Sequence, residues 1–345
     1  MSEAHRAVSV LYQGLLTGLV LTLVTRRGEA VAAEFVFRLF RRQHLEKFRE
    51  GLVKLGLDGL PPAVACAQYH YLSNQLGGVK TEYVRESDRK AWVRYPPPRW
   101  IWYGAAICGI PSRVNAAILH GWHGHNGVTL GNPRLGFVCT GQTVDGDPGL
   151  EGYYLEHDRP LAPDERLAFA PGEEGPDFDP AAAPRLDPDA WPPGRLDAVV
   201  ARYAMEYVRT ALPVALELLG PADTRALLGH SARLIGMQYH DETVRRLGIE
   251  STGPGPFARY LGALARAQGE EVTVEAEDDR RASVRLRGWR LARGLEPLDP
   301  AAFDAWSELW RGALAAHDRR LSLDATRQPG GDVLFSVADR AVTPS

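Results

Sequence analysis

The chain has 345 residues, a length that favours two domains of ordinary size. With 45% hydrophobic and 24% charged residues it has the composition of a globular protein, which excludes a largely disordered chain. Its formal charge of -3 gives no electrostatic reason to expect nucleic acid or an anionic membrane as a partner. Three cysteines without a C-x-x-C pair argue against a disulfide framework and favour a cytoplasmic setting.

The first element in chain order is a mostly apolar stretch from Val8 to Val24. It contains Gln13 and Gly18 and falls short of the roughly 20 apolar residues that cross a bilayer. Glu3 precedes it, whereas a signal peptide begins with a basic region. We therefore predict a buried helix, and a signal peptide is the less favoured interpretation.

Internal similarity is the most informative feature of the sequence. Residues 86–94 and 277–285 are identical at six of nine positions, at an offset of 191. Leu55-Gly56 precedes Leu247-Gly248 by 192 residues, and residues 140–142 precede the similar residues 326–328 by 186. Matches in one order with shrinking offsets indicate a duplicated unit with loop deletions. We predict a first copy over residues 1–159 and a second, divergent copy over residues 197–345.

Each copy is predicted to have an α+β fold. The order is helices, an alternating segment (residues 79–95 and 271–286), another helix and two closing strands. Alternation around a turn predicts an antiparallel hairpin in each copy. Asp299 before Pro300 and Ser112 after Pro111 are the predicted N-caps of the later helices.

A proline-rich linker is predicted over residues 160–196, between the copies. Nine of the 25 prolines fall from Pro160 to Pro193. Such a chain cannot sustain a helix or a central strand, so we expect it to run extended over the surface.

The segment of residues 120–132 distinguishes the first copy from the second. The only residue of this segment that we match with a residue of the second copy is Trp122, which we align with Trp310. Residues that both copies share are best explained by the fold, so a difference in chemistry points to function. His123 and His125 stand among glycines, and histidine transfers protons near neutral pH.

Three interpretations of this segment stay open. It can be a polar pocket in which Asn126 and Asn132 orient a ligand, a two-histidine metal site, or a solvated glycine-rich loop. No HExxH pattern supports the metal site, so a divalent metal is the less favoured interpretation and the sequence identifies no cofactor.

Two further features have alternatives of the same kind. Cys139 on a predicted strand is either a nucleophile or a small core residue. Arg94, Arg99 and Trp102 lie in an aromatic and basic stretch that either walls a pocket, with an arginine binding a carboxylate, or forms core and rim.

The order of elements in each copy resembles that of the L-2-amino-thiazoline-4-carboxylic acid hydrolase family, over the last half of each copy. The resemblance rests on residues 122–126, 137–139, 140–142 and 146–148, and on Tyr153-Tyr154. It implies hydrolytic opening of a small cyclic amidine that carries a carboxylate. The family commonly places a cysteine after the Gly-Asp pair, and residues 148–152 here contain none. The elements are also similar to vinyl-reductase-type sensor domains, which bind small apolar ligands.

We therefore expect a hydrolase that acts on a C–N bond of a small carboxylate-bearing amide or amidine. The alternative is a non-catalytic small-molecule-binding or sensor protein, and the sequence leaves a homo-oligomer open. The expected catalytic residues are His123, His125, Asn126, Cys139 and Asp147. The expected substrate-binding residues are Arg94, Arg99, Trp102, Trp122, Asn132 and Thr140.

Overall fold

The computed structural model describes residues 2–249, 251–295 and 297–340. These form two compact units, an N-terminal unit of residues 23–192 and a C-terminal unit of residues 193–340 together with 2–22. Each unit combines helices with a small, mainly antiparallel sheet, so the predicted α+β fold class is confirmed. Residues 341–345 of the predicted second copy lie outside the described residues.

The N-terminal unit places four helices against a five-stranded sheet. The chain begins with α1 (Glu3–Arg27), most of which belongs to the C-terminal unit. The helices that follow are α2 (Glu29–Lys54), α3 (Pro62–Leu76), α4 (Ser112–Gly121) and α5 (Asn126–Leu130). The strands are β1 (Glu82–Arg85), β2 (Lys90–Tyr95), β3 (Leu135–Gly141), β4 (Leu150–Glu156) and β5 (Leu167–Phe169), in the order β1-β2-β4-β3-β5. Only β3 and β5 pair in parallel among these neighbours.

The C-terminal unit has a four-stranded antiparallel sheet. Its helices after α1 are α6 (Pro193–Asp223), α7 (Gly229–Arg246), α8 (Pro254–Ala267) and α9 (Pro300–His317). Its strands are β6 (Val272–Asp278), β7 (Arg281–Leu286), β8 (Leu321–Arg327) and β9 (Val333–Asp339), in the order β6-β7-β9-β8. The predicted hairpins are therefore present as β1–β2 and β6–β7.

Both units share the order first-second-fourth-third for their main strands. The backbone repeats as well, since Gly28 and Gly220, 192 residues apart, have φ of 85° and 79°. Gly56 and Gly248, at the same offset, end helices with φ of 70° and 65°. Residues with a side chain rarely adopt such φ values, which explains why all four positions carry glycine. These matches support the predicted repeat; the duplication and its boundaries at residues 159 and 197 stay predictions.

The apolar N-terminal stretch is helical, as predicted. In length and composition α1 is sufficient to cross a membrane, which corrects the expectation that it falls short. However, 61% of its most apolar 18-residue stretch is buried inside the structure, and its residues Leu11 and Tyr12 are fully buried. The helix thus also has the properties of a core helix.

One of the two predicted helix caps is correct. The Asp299 carboxylate accepts a hydrogen bond from the Ala301 N–H at 2.8 Å and caps α9. Ser112 does not cap α4, because Pro111 occupies the cap position and the Ser112 hydroxyl donates to Asp145 instead.

The proline-rich segment contributes the edge strand β5 to the N-terminal sheet and then crosses one face of that sheet. Residues 170–178, which we call the strap, cover Trp92 and Tyr153 on that face. The Arg94 guanidinium donates to the carbonyl oxygen of Pro176 at 2.7 Å, and the Tyr153 hydroxyl donates to Glu173 at 2.9 Å. Residues 193–196 of the predicted linker already belong to α6, which starts with a proline, the residue suited to a first helical turn.

Helices α7 and α9 approach each other through glycines. A Cβ built on Gly236 would lie 1.9 Å from the carbonyl oxygen of Leu309, and one built on Gly312 would lie 2.0 Å from that of Arg233. Any side chain at either position would therefore force the two helices apart.

We expect Gly236→Ala to lower the free energy of unfolding by about 3 kcal/mol, because the methyl group cannot fit without separating the helices. Gly194→Ala is the matched control, since nothing lies within 4 Å of its Cβ position, and it should change stability by less than about 0.5 kcal/mol. Chemical unfolding followed by circular dichroism measures both variants. Equal stabilities would contradict the close helix contact.

Candidate functional site

The two central histidines of the histidine-rich segment point to different surroundings. After α4 the chain makes a short 3-10 helix, His123–His125, before α5 begins. The His123 ring is buried and stacks on His70, whereas the His125 ring is only partly buried and lies edge-on to His44 at 5.3 Å. The two imidazoles therefore do not converge on one metal ion.

His123 is held by a tyrosine from the sheet. Its Nδ1 lies 2.8 Å from the hydroxyl of Tyr154 on β4, and that same hydroxyl accepts a hydrogen bond from the Asn126 amide at 2.9 Å. Since Asn126 already donates to the Tyr154 oxygen, the Tyr154 hydrogen is free to go to Nδ1 of His123. This network brings together two of the predicted catalytic residues, His123 and Asn126.

His70 of α3 completes the centre of this site, and sequence reasoning missed it. Its ring lies 4.1 Å from that of His123 with an interplanar angle of 10°, and its Nδ1 lies 2.9 Å from the Tyr95 hydroxyl. Burial lowers the pKa of His70 to about 3 and that of His123 well below its ordinary value. Both imidazoles are therefore neutral at physiological pH.

A third missed histidine, His44 of α2, extends the cluster. Its Nε2 lies 2.8 Å from the Thr129 hydroxyl, and its ring stacks on Phe48 at 4.8 Å. Its edge faces Trp122 at 5.4 Å, and burial lowers its pKa to about 3. We call the contiguous group of buried rings the histidine–tyrosine cluster; its members are His44, Tyr69, His70, Tyr95, Trp122, His123 and Tyr154.

Several buried polar atoms in and beside the cluster have no protein partner. They are His70 Nε2, Trp122 Nε1 and Asn126 Oδ1, with His44 Nδ1 nearby. Buried polar atoms are normally hydrogen-bonded, and exceptions are often completed by water or by a ligand. The set offers both donors and acceptors.

The two predicted carboxylate-binding arginines lie on opposite sides of the N-terminal sheet. Tyr95 faces His70, so its neighbour on β2, Arg94, faces the other side, where it contacts Glu151 and the strap. Arg99 is 7% exposed and lies over the Tyr95 ring at 5.3 Å, and its charge helps to lower the pKa of His123. Arg99 is thus beside the cluster, and Arg94 is not.

Cys139 has the properties of a core residue. Its thiol donates to the carbonyl oxygen of Gly141 at 3.5 Å, and burial raises its pKa to about 12. A thiol with so high a pKa carries almost no thiolate at neutral pH. Thr140, next to it, has a buried hydroxyl without a partner.

The remaining predicted residues belong to other hydrogen-bond groups. The Trp102 indole donates to Asn115, Asn115 donates to Gln142, and the Asp147 carboxylate accepts the Gln142 backbone N–H at 2.7 Å. Asn132 lies in a turn, where its amide donates to Glu156 at 3.0 Å. None of these contacts reaches His123.

The C-terminal unit lacks the central residues of this cluster. In place of His70 the C-terminal unit has Gly262, 192 residues later. In place of Tyr154 it has Val337, which pairs with Ala282 as Tyr154 pairs with Ala91 in the other sheet. The difference between His70 and Gly262 is the signal that would have identified His70, had the comparison of the two copies included α3.

The packing of two glycines favours a register other than the predicted match of Trp122 with Trp310. Gly121 packs on the backbone of α2 at Arg41, and Gly312 packs on α7 at Arg233, 192 residues after Arg41. This packing favours pairing Gly121 with Gly312, and in that register Trp122 stands opposite Ala313. In this register the ring side chains of residues 120–125 have no counterpart of the same chemistry in the C-terminal unit.

Within the described residues, no three or more histidine, cysteine, aspartate or glutamate side chains are grouped in a way that would hold a metal ion. The parallel stack of His70 and His123 also presents ring faces to each other, which is unsuitable for joint coordination through nitrogen lone pairs.

The neutral histidines predict a loss of stability in acid. An unfolded histidine has a pKa of about 6.5, and that of folded His70 is about 3, so the unfolded chain binds more protons between these values. The free energy of unfolding therefore falls as the pH drops through this window, by about 3 kcal/mol for His70 alone at pH 4. Urea unfolding at several pH values should give a shallower dependence for His70→Gln. His230→Gln, at an exposed position, should keep the wild-type slope; equal slopes for all three proteins would refute burial of a neutral His70.

Comparison with known proteins gives no relative: no family model matches the chain, and neither a curated protein nor a solved structure matches it significantly.

Proposed function

We propose that the histidine–tyrosine cluster is the active site of a hydrolase that opens a C–N bond in a small, carboxylate-bearing amide or cyclic amidine. The observation that carries the proposal is the set of unpartnered buried atoms: His70 Nε2, Trp122 Nε1 and Asn126 Oδ1. A substrate with both N–H and C=N or C=O groups would satisfy them. The resemblance to L-2-amino-thiazoline-4-carboxylic acid hydrolases points to the same class of substrate.

Arg99 supplies the charge for the carboxylate. Its guanidinium is buried beside Tyr95 and close enough to His123 to lower the pKa of that imidazole. A carboxylate bound there would offset this effect and add a negative charge, which raises the pKa of nearby imidazoles towards the working pH. The substrate would thus improve the base that acts on it.

The reaction needs a base for water and a donor for the charge that develops on nitrogen. Imidazoles of the cluster can serve in both roles, because they are neutral and are held through Nδ1 by tyrosine hydroxyls. Asn126, fixed by its bond to Tyr154, lies beside His123 and can orient the polar group of the substrate.

A non-catalytic binding protein is the second candidate, and one observation favours it. The pKa of His70 is about 3 in the ligand-free protein, so its imidazole is a weak base until a ligand changes its surroundings. Under this alternative the same polar atoms would bind a ligand without turnover.

We expect the purified protein to convert L-2-amino-thiazoline-4-carboxylate, with a gain of one water seen by mass spectrometry. Arg99→Gln should reduce kcat/KM by about 100-fold, because it removes a charge-assisted contact to the carboxylate. Arg94→Gln is the matched control on the other face of the sheet and should stay within about threefold of wild type. Binding without conversion would favour the second candidate, and equal losses in both variants would contradict the role of Arg99.

Replacing Cys139 by alanine tests thiol chemistry directly. We expect Cys139→Ala to retain kcat within about threefold of wild type, because the thiol has a high pKa and is bonded to the backbone. The same assay and an iodoacetamide treatment of the native protein measure this. Loss of turnover in a folded Cys139→Ala protein would restore the nucleophile interpretation.

A further inference from the structure

The two stacked imidazoles differ in the hydrogen bonds that surround them. The Tyr154 oxygen accepts from the Asn126 amide, so its hydroxyl hydrogen is available for Nδ1 of His123. A His123 that accepts at Nδ1 carries its own hydrogen at Nε2 and is a donor on that side. His70 is bonded through Nδ1 to the Tyr95 hydroxyl, and its Nε2 is buried without a partner.

We infer that His70 is the general base of the hydrolysis proposed above and that His123 is the hydrogen-bond donor to the developing charge. This inference rests on the proposed function and assigns its central proton transfer to a residue outside the histidine-rich segment. The geometry supports it because His70 Nε2 is the imidazole nitrogen left free to accept, when Tyr95 takes the hydrogen of Nδ1.

The proton transfers balance within the pair and the substrate. The water oxygen bonds to the amidine carbon as one water proton passes to Nε2 of His70, and the electron pair of the C=N bond moves to nitrogen, where the His123 N–H stabilises it. His70 returns its proton to that nitrogen. The C–N bond then breaks as the second proton of the former water passes by the same route to the leaving nitrogen, and a carbonyl remains.

The stack makes His123 a donor that stays neutral while His70 is charged. Two imidazolium rings whose centroids lie 4.1 Å apart would repel each other strongly in this buried setting, so the pair holds one added proton at a time. Titratable or charged groups face the pair from every element that packs on it. They are His44 of α2, Cys66 and Tyr69 of α3, Tyr95 of β2, Arg99 of the loop after β2, and Tyr154 of β4.

Chemical rescue tests the role of His70. We expect His70→Gly to lose at least about 100-fold in kcat on L-2-amino-thiazoline-4-carboxylate, and added imidazole to restore part of it, because a free base can enter the vacated space. His123→Gln keeps an N–H donor and should lose only about tenfold. His120→Asn, in the same segment but outside the cluster, is the matched control and should retain wild-type turnover.

If His70→Gly does not fold, the milder variant Tyr95→Phe tests the role of His70 as the general base. It should lower kcat by about tenfold with KM unchanged, because it removes only the hydroxyl that holds His70. In His70→Asn, the fall of kcat at low pH that marks a base in the substrate complex of the wild type should disappear.

The outcomes separate this inference from the proposed function. Wild-type turnover together with full activity of His70→Asn would overturn the role of His70 and leave the hydrolase standing. Loss of activity in His123→Gln that imidazole restores would exchange the two roles and refute the assignment. A wild-type protein that does not convert the thiazoline contradicts the proposed function, and the inference falls with it.

Discussion

Burial of two neutral imidazoles against each other is the constraint on which the N-terminal unit depends. A charged imidazole would be costly in this interior, so each ring must stay neutral, and each is held at Nδ1 by a hydrogen bond within the protein. Tyr95 and Tyr154 supply them from neighbouring strands, β2 and β4, while His70 and His123 come from α3 and from the turn after α4. The sheet, one helix and one turn are therefore tied together at a single polar centre.

Local patterns in the sequence predicted those parts of the fold that local physics decides. Alternation gave both hairpins, and Asp299 before Pro300 gave the start of α9. The cap at Ser112 failed because a tertiary partner, Asp145, competes for its hydroxyl. His70 had no local signal at all, since α3 is buried around most of its surface and only the folded chain brings its imidazole to His123.

The same distinction explains which candidate site residues came together. His123 and His125 are neighbours in sequence and both are expected catalytic residues, but the 3-10 turn sends their rings to different partners. Residues of a strand alternate between two faces, so Arg94 lies under the strap while Tyr95 lies in the cluster. The two arginines are only five residues apart, so the sequence could not show which of them lies beside the cluster. The pairing register of β2 shows that Arg94 lies on the other face of the sheet.

The difference between the two units has a simple physical origin in residue size at the helix contacts. His44 and His70 are matched, 192 residues later, by Gly236 and Gly262. In the C-terminal unit Gly236 lets α7 approach the backbone of α9 so closely that no side chain fits between them. In the N-terminal unit an imidazole with a polar requirement occupies the corresponding position on α2. One topology thus gives a closed helix contact where glycine stands and a polar interior where histidine stands, because small residues close a helix interface and buried polar groups demand partners.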